Sequence, residues 1–436
     1  MKDGFPHWAT AVRRAAACAL LAAAWLSAGA QPFAEALRGA RTPADFTRDF
    51  VGAHALLHGG PAAVAALEGE AANDYAEAVG APRLALYGGP YHTHPPAAML
   101  VVIPLVPLGF RGAALVWFVA SLAALGWLAR LLAETLVPPR WPGPWPTAGL
   151  FVLLLLWPPV LHNLAKGQWS IFLAVLLAAG WRAMARGRWR RGGVWLGAAA
   201  SFKLTPLLLL GYLGLRHRRA ALAMVATFAA LTLAGAAIGD TGLRFATDIR
   251  RNAETWQTWT ANTASVNGLV ARLFAGGPWA RPLWHAPAFA HALTVAIAAA
   301  LALSAVRATR RAGAGAGPLY GAWCALVVLL NPLAWSHTLV IALLPLARLA
   351  RCAPPTVLFA IAVVFSIPRQ TLARIAMLAP GAPATAPLGS LHALAALALF
   401  ALALRAATTG PAAPWTSLAT RSQGQRVGST QAPVAT

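Results

Sequence analysis

Two aspartates four residues apart, Asp45 and Asp49, lead into two histidines with the same spacing, His54 and His58, within the stretch ADFTRDFVGAHALLHGG. On a helix these carboxylates project from one face, a turn apart. Like charges that close disfavour simultaneous ionisation, which raises one of them towards the range useful to a general base. The pair stands out because the chain holds only 12 acidic residues against 35 basic ones. The competing reading is a solvated loop helix.

A second residue with chemical promise is Lys203, inside the apolar stretch GAAASFKLTPLLLL. Only three of the 35 basic residues are lysines. A charge in such a stretch costs several kcal/mol unless it snorkels or finds a partner, and a phosphate near headgroup level is a natural one. His54 with His58, and His92 with His94, have spacings that could bind a metal beside a carboxylate. No third ligand at a fixed spacing accompanies them, so the expectation is no metal and no cofactor, with the imidazoles hydrogen-bonding a phosphate or a sugar. Cys18, Cys324 and Cys352 lie in or beside apolar segments, and their spacing suits packing rather than a metal site or disulfides.

The elements that must position these groups are hydrophobic. Of 436 residues, 58% are hydrophobic and 11% charged, where ordinary soluble domains carry about 25% charged residues. Apolar runs of about 17 residues recur along the chain, each able to cross a bilayer. The fold class is therefore an all-α polytopic membrane protein, with about 10 to 13 expected spans. The net charge of +23 does not indicate nucleic acid, because arginines cluster in short breaks between apolar runs: Arg13-Arg14, RGRWRR, RHRR, Arg307 with Arg310-Arg311, and Arg348 with Arg351. That is the positive-inside pattern. It places the N-terminus in the cytoplasm of a multi-pass plasma (inner) membrane protein. Ala15 to Ala30 reads as a signal anchor or a cleavable signal.

Residues 31–94 then form a long first outer loop holding seven of the twelve acids. Residues 239–285 form a second, and 406–436 a Thr/Ser/Ala/Pro-rich disordered tail after one membrane-embedded domain, 1–405. If RGRWRR and RHRR are both cytoplasmic, the run from Val194 to Leu215 cannot cross once. The expectation is a hairpin of two short helices with Lys203 at its outer tip.

Several blocks, in order, resemble the family 87 glycosyltransferases of the GT-C superfamily over about residues 40 to 350. DFTRDFVGAHALLHG is similar to the family's opening motif, with Asp45-Phe46 leading and Gly59 closing, and Asp49 where an aromatic is usual. YHTHPPAAMLVVIPL looks like its tyrosine-rich segment before a Pro-Pro helix, with His92 and His94 replacing aromatics. AKGQWSIFL resembles the Gly-Gln block (Gly167-Gln168), and ASFKLTPLLLLGYL the segment that carries Lys203. NTASVNGLVARLF supplies Asn262, Ser265, Gly268 and Arg272. NPLAWSHT keeps Pro332, Trp335 and His337.

The resemblance implies a polyprenyl-phosphate-linked sugar as donor and a lipid or glycan acceptor, with membrane lipids around and no nucleic acid. It implies an inverting hexosyl transfer, with mannose among the candidate sugars, on the extracytoplasmic face. Asp45 or Asp49 would be the base, spacing favouring Asp45. Lys203, His337 and Arg272 would bind the donor phosphate, and His92, His94, Gln168, Asn262 and Trp335 the substrates. The alternative is a polytopic transporter or lipid-carrier flippase in envelope polysaccharide assembly, although transporters usually gather ionisable groups near the midplane.

Overall fold

The computed structural model describes residues 34, 37–39, 41–84, 94–136, 143–237, 263–276, 280–311, 316–368, 371–372, 374 and 388–409. The first apolar run, His92, Asn262, most of the second polar loop and the tail from residue 410 lie outside the described residues.

Every regular element among the described residues is helical. The first loop contributes α1 (Ala44–Ala65), which kinks at Gly60 ahead of Pro61, and α2 (Gly69–Ala78). Phe46, Phe50 and Val51 make the buried stripe of α1. A Pro-Pro start opens α3 (Pro96–Val102), and a 3-10 stretch (Ile103–Leu108) leads to α4 (Gly109–Leu136). At about 1.5 Å per residue, α4 alone exceeds the roughly 30 Å of bilayer hydrocarbon. Next, α5 (Trp145–Leu155) and α6 (Pro158–Lys166) meet at a 70° bend, because Pro158 and Pro159 cannot continue the α5 hydrogen-bond ladder. After them come α7 (Ser170–Ala185), α8 (Trp189–Phe202), a 3-10 turn (Thr205–Leu208), α9 (Leu209–Arg216) and α10 (Arg218–Ala237). The C-terminal half holds α11 (Val266–Phe274), α12 (Pro287–Arg310), α13 (Ala316–Leu329), a 3-10 helix (Ser336–Ala342), α14 (Leu343–Leu349), α15 (Pro355–Ser366) and α16 (Leu391–Thr409). The last helix runs past residue 405, where the expected tail was to begin.

Four described elements are long and apolar enough to cross a membrane, Pro96–Leu136, Arg218–Ala237, Pro287–Arg310 and Leu391–Thr409, and the bent α5–α6 pair makes a fifth. The protein is thus an all-α, multi-pass membrane protein. Several other runs counted as spans in the sequence are shorter apolar helices, among them α7, α13 and α15. Prolines and glycines break the hydrophobic stretches, so apolar length in sequence overstates straight helix length.

The segment around Lys203 folds back on itself. Trp189, opening α8, stacks on His217, just beyond α9, with centroids 4.1 Å apart. Helices α8 and α10 lie side by side in parallel, Gly193 against Ala220 and Gly197 against Met224, with no room for a larger residue at either glycine. Small residues let helix backbones approach this closely. Since α8 begins where α9 ends, the two form a return, and Lys203 caps α8 at its far tip in extended backbone (φ −149, ψ 130). Both arginine breaks therefore share one end of the bundle. Arg182 with Glu134, Arg348 with Thr135, and Arg216 with the Arg311 carbonyl are joined at that end.

At the other end α1 lies across α4, with Phe46 stacked on Trp117 at 5.1 Å and Phe50 edge-on to Phe110 at 5.4 Å. The aromatic stripe of α1 thereby fixes the two aspartates against the membrane-embedded helices.

Candidate active site

Asp49 is wholly buried. Its Oδ1 accepts from His94 Nδ1 at 2.8 Å and its Oδ2 from Trp169 Nε1 at 2.9 Å. Trp169 is held in place, stacked on Phe202 at 4.8 Å and set edge-on to Trp117 at 4.7 Å. A carboxylate with both oxygens committed to N–H donors is stabilised in its ionised form.

The backbone that presents Trp169 is shaped by Gly167. This residue takes the left-handed conformation (φ 65) that ends α6, and its carbonyl accepts from Trp117 Nε1 at 2.9 Å. A methyl group there would lie 2.6 Å from Phe46 Cβ and 2.9 Å from Pro43 Cβ. Only glycine fits both the torsion and the contact with α1. Asn163 braces the same turn, donating to the Gln168 carbonyl at 3.0 Å and accepting from Ile171 N–H at 3.3 Å.

Gln168, thus oriented, accepts from Lys203 Nζ at 3.2 Å. The ammonium is part-buried, and among the described residues this neutral amide is its one direct hydrogen-bond partner. Asp45 and Asp49 both act on it electrostatically, yet no ion pair joins Lys203 to either among the described residues. Asp45 is half-buried, and its carboxylate makes no side-chain hydrogen bond or ion pair among the described residues. Carboxylates on α1 and a cation at the tip of the α8–α9 return therefore lie within electrostatic reach of one another, though they are more than 150 residues apart in sequence.

Other residues singled out in the sequence divide. His337 is buried in the 3-10 helix after α13, its ring 5.6 Å from that of His162 on α6, the helix that leads into Gly167 and Gln168. Trp335 is half-buried next to it, and the Ala334 carbonyl accepts from Ala264 N–H at 2.8 Å, bringing the end of the second loop to this segment. Arg272 sits in a different setting. Fully enclosed, it donates to Ser390 Oγ at 2.7 Å and the Thr263 carbonyl at 3.0 Å, joining α11 to the start of α16. His54 and His58 stack at 4.1 Å, and His54 Nδ1 contacts the Tyr75 hydroxyl at 3.0 Å. Among the described residues no three His, Cys, Asp or Glu side chains gather as a metal site. Further along the loop, Arg83 binds Glu70, Asp74 and Glu77 together, which accounts for three of the loop's acids.

Trp169 is the residue that sequence reasoning missed. With 18 tryptophans in the chain its type carries no signal; its place beside Gln168 was the available clue.

Residues 92–332 match glycosyltransferase family 87. The matched region contains His94, Gln168, Trp169, Lys203 and Arg272, while Asp45, Asp49, Trp335 and His337 fall outside it. A curated relative, the polyprenol-phosphate-mannose-dependent alpha-(1-2)-phosphatidylinositol pentamannoside mannosyltransferase of Mycobacterium tuberculosis (strain CDC 1551 / Oshkosh), is 31% identical over 249 residues, 56% of this chain and 55% of the relative. The chain spans about half the length of that relative. No solved structure matches. With the family match extending over more than half of its length, and its helical, membrane-spanning fold described above, the chain belongs to glycosyltransferase family 87.

Proposed function

We propose that this glycosyltransferase moves a hexose from a polyprenyl-phosphate donor to an acceptor hydroxyl on the extracytoplasmic face, with inversion. The observation that carries the reading is the state of Lys203. An ammonium with three donors has one neutral partner, Gln168, and two carboxylates in electrostatic range without contact. That is a cation held ready for an anion, and the phosphate of a lipid-linked sugar is the anion that a membrane-embedded site would meet. The mannose-linked donor in the relative's name makes mannose the first hexose to test.

In the proposed reaction the acceptor oxygen bonds to the anomeric carbon from the face opposite the phosphate. The bond from that carbon to the phosphate oxygen breaks, and its electron pair leaves with the phosphate. The hydroxyl proton passes to Asp45, the carboxylate not engaged by N–H donors. Lys203 stabilises the charge growing on the phosphate, usually the largest catalytic contribution. His337 adds a donor from the next segment, and Trp335 a face for a sugar ring. Arg272, tied to Ser390 and Thr263, holds the end of the second loop in place. His92 and Asn262 are assigned to substrate binding by their motif blocks. The catalytic unit is the single domain 1–405, with residues 31–94 and 239–285 outside an inner membrane and the N-terminus in the cytoplasm. The clustered arginines at the end opposite Lys203 support that orientation.

The test uses purified protein and radiolabelled polyprenyl-phosphate mannose, followed by a panel of other lipid-linked hexoses, with glycan and lipid acceptors. Release of the lipid phosphate with label in the acceptor is expected. A folded protein that releases nothing from any donor would sink the proposal.

A further inference from the structure

We propose that His94 contacts substrate directly: its Nε2 accepts a hydrogen bond from a substrate hydroxyl, and Asp49 is the positioning residue that fixes the ring to do so. This rests on the transferase reading above and removes Asp49 from the role of base.

An ionised carboxylate offers only acceptors. The 2.8 Å contact between Asp49 Oδ1 and His94 Nδ1 therefore requires the proton on Nδ1. In the neutral ring, Nε2 is left with its lone pair, an acceptor. Asp49 cannot swing away, because its second oxygen takes the Trp169 indole N–H at 2.9 Å, and Trp169 is wedged against Phe202 and Trp117. The tautomer of His94 is thus set by a carboxylate that is itself clamped. His94 is 4% exposed, and its Nε2 makes no hydrogen bond among the described residues. The ring keeps a small accessible surface, so a substrate atom can reach Nε2. A partner of the neutral ring at that atom donates a hydrogen bond. A hydroxyl can do so, either on the transferred hexose or on the acceptor. The site's position agrees, since Asp49, bonded to His94, also acts electrostatically on Lys203.

The clamp makes an unusual demand on Asp49→Asn. Indole N–H only donates, so the new amide must turn its oxygen to Trp169 and its NH2 to His94 Nδ1. That forces the ring proton to Nε2 and converts the acceptor into a donor.

The experiment measures kcat/KM of the full chain with a radiolabelled lipid-linked hexose and its acceptor, and with the monodeoxy analogues of each. Wild type is expected to lose about tenfold or more at one deoxy position. His94→Asn keeps an amide at the place of Nδ1 but has nothing at the place of Nε2. It should lose a similar factor with the complete substrate and show no further loss with that one analogue. His94→Gln, whose amide oxygen reaches the place of Nε2, should recover part of the discrimination. Asp49→Asn should behave like His94→Asn, and the double variant should be no worse than His94→Asn alone. Whether the sensitive position lies on the donor or the acceptor identifies the source of the hydroxyl. Because each readout is a ratio within one preparation, partial unfolding does not mimic it. Wild-type discrimination retained at every position in His94→Asn and Asp49→Asn would overturn the inference. Wild type that transfers no hexose at all would overturn the transferase reading, and this inference with it.

Discussion

The two ends of the helix bundle treat charge in opposite ways. At the arginine end, Glu134 is met by Arg182 through two hydrogen bonds of 2.7 and 2.6 Å, with Arg186 at 3.5 Å, and Arg348 lies 5.0 Å above the Trp181 ring while donating to Thr135. Charges there are neutralised by their neighbours. At the Lys203 end the opposite charges are near each other and still kept apart. Asp49 is held by the neutral indole of Trp169 and the imidazole of His94, and Lys203 by the neutral amide of Gln168. Under the proposed function, these groups are held for the donor phosphate and the acceptor hydroxyl. Preorganised groups aimed at charge that develops during a reaction are worth more than groups that must first break an internal bond. One end is built for cohesion, and the proposed chemistry lies at the other.

The sharpest way to break this contrast is at Asp45. Asp45→Asn should lower kcat roughly 100- to 10,000-fold with insertion into the membrane unchanged; full activity in that variant would remove the base and leave the proposed reaction without a proton acceptor. Next in size is Lys203→Met, which preserves an unbranched chain and removes the charge. Its turnover should fall about 100- to 1,000-fold, measured with the lipid-linked donor, and unaltered turnover would mean that the phosphate sits elsewhere. Gly167→Ala attacks the geometry instead. The added methyl meets Phe46 and Pro43 in a conformation unsuited to a side chain, so stability should drop by about 1–3 kcal/mol, read as a lower thermal midpoint in detergent. The smallest effect belongs to the arginine end, where about a third of each side chain of the Arg182–Glu134 pair is exposed. Arg182→Ala should cost less than about 1 kcal/mol and leave turnover as it was. A large loss of turnover there would show that the two ends are coupled.

Much of the fold was legible in the sequence because membranes impose simple rules. The arginine breaks at RGRWRR and RHRR, taken as both cytoplasmic, favoured a return between them, and Trp189 stacked on His217 closes it. The same counting put Lys203 at the tip, near the acidic loop, where Asp45 and Asp49 act on it. The number of full-length spans was not legible, since a proline-broken run such as Trp145 to Lys166 has the hydropathy of a straight helix and the shape of a bent one. Arg272, read as a phosphate ligand by its motif block, also ties α11 to Ser390 at the start of α16 and to the Thr263 carbonyl. A guanidinium's sequence context does not reveal which hydroxyls and carbonyls will enclose it.

By itself, the sequence determined that this chain lives in a membrane, which of its few acids and lysines are out of place there, and through ordered motif blocks, which family it resembles. The proposed choice of Asp45 over Asp49 as base draws on the tertiary structure alone. That choice depends on N–H donors from His94 and Trp169, which lie 45 and 120 residues from Asp49 along the chain. Whether a carboxylate is free or committed is a property of the space around it, and hydrogen bonds of 2.8 and 2.9 Å between distant segments leave no mark in local composition or spacing.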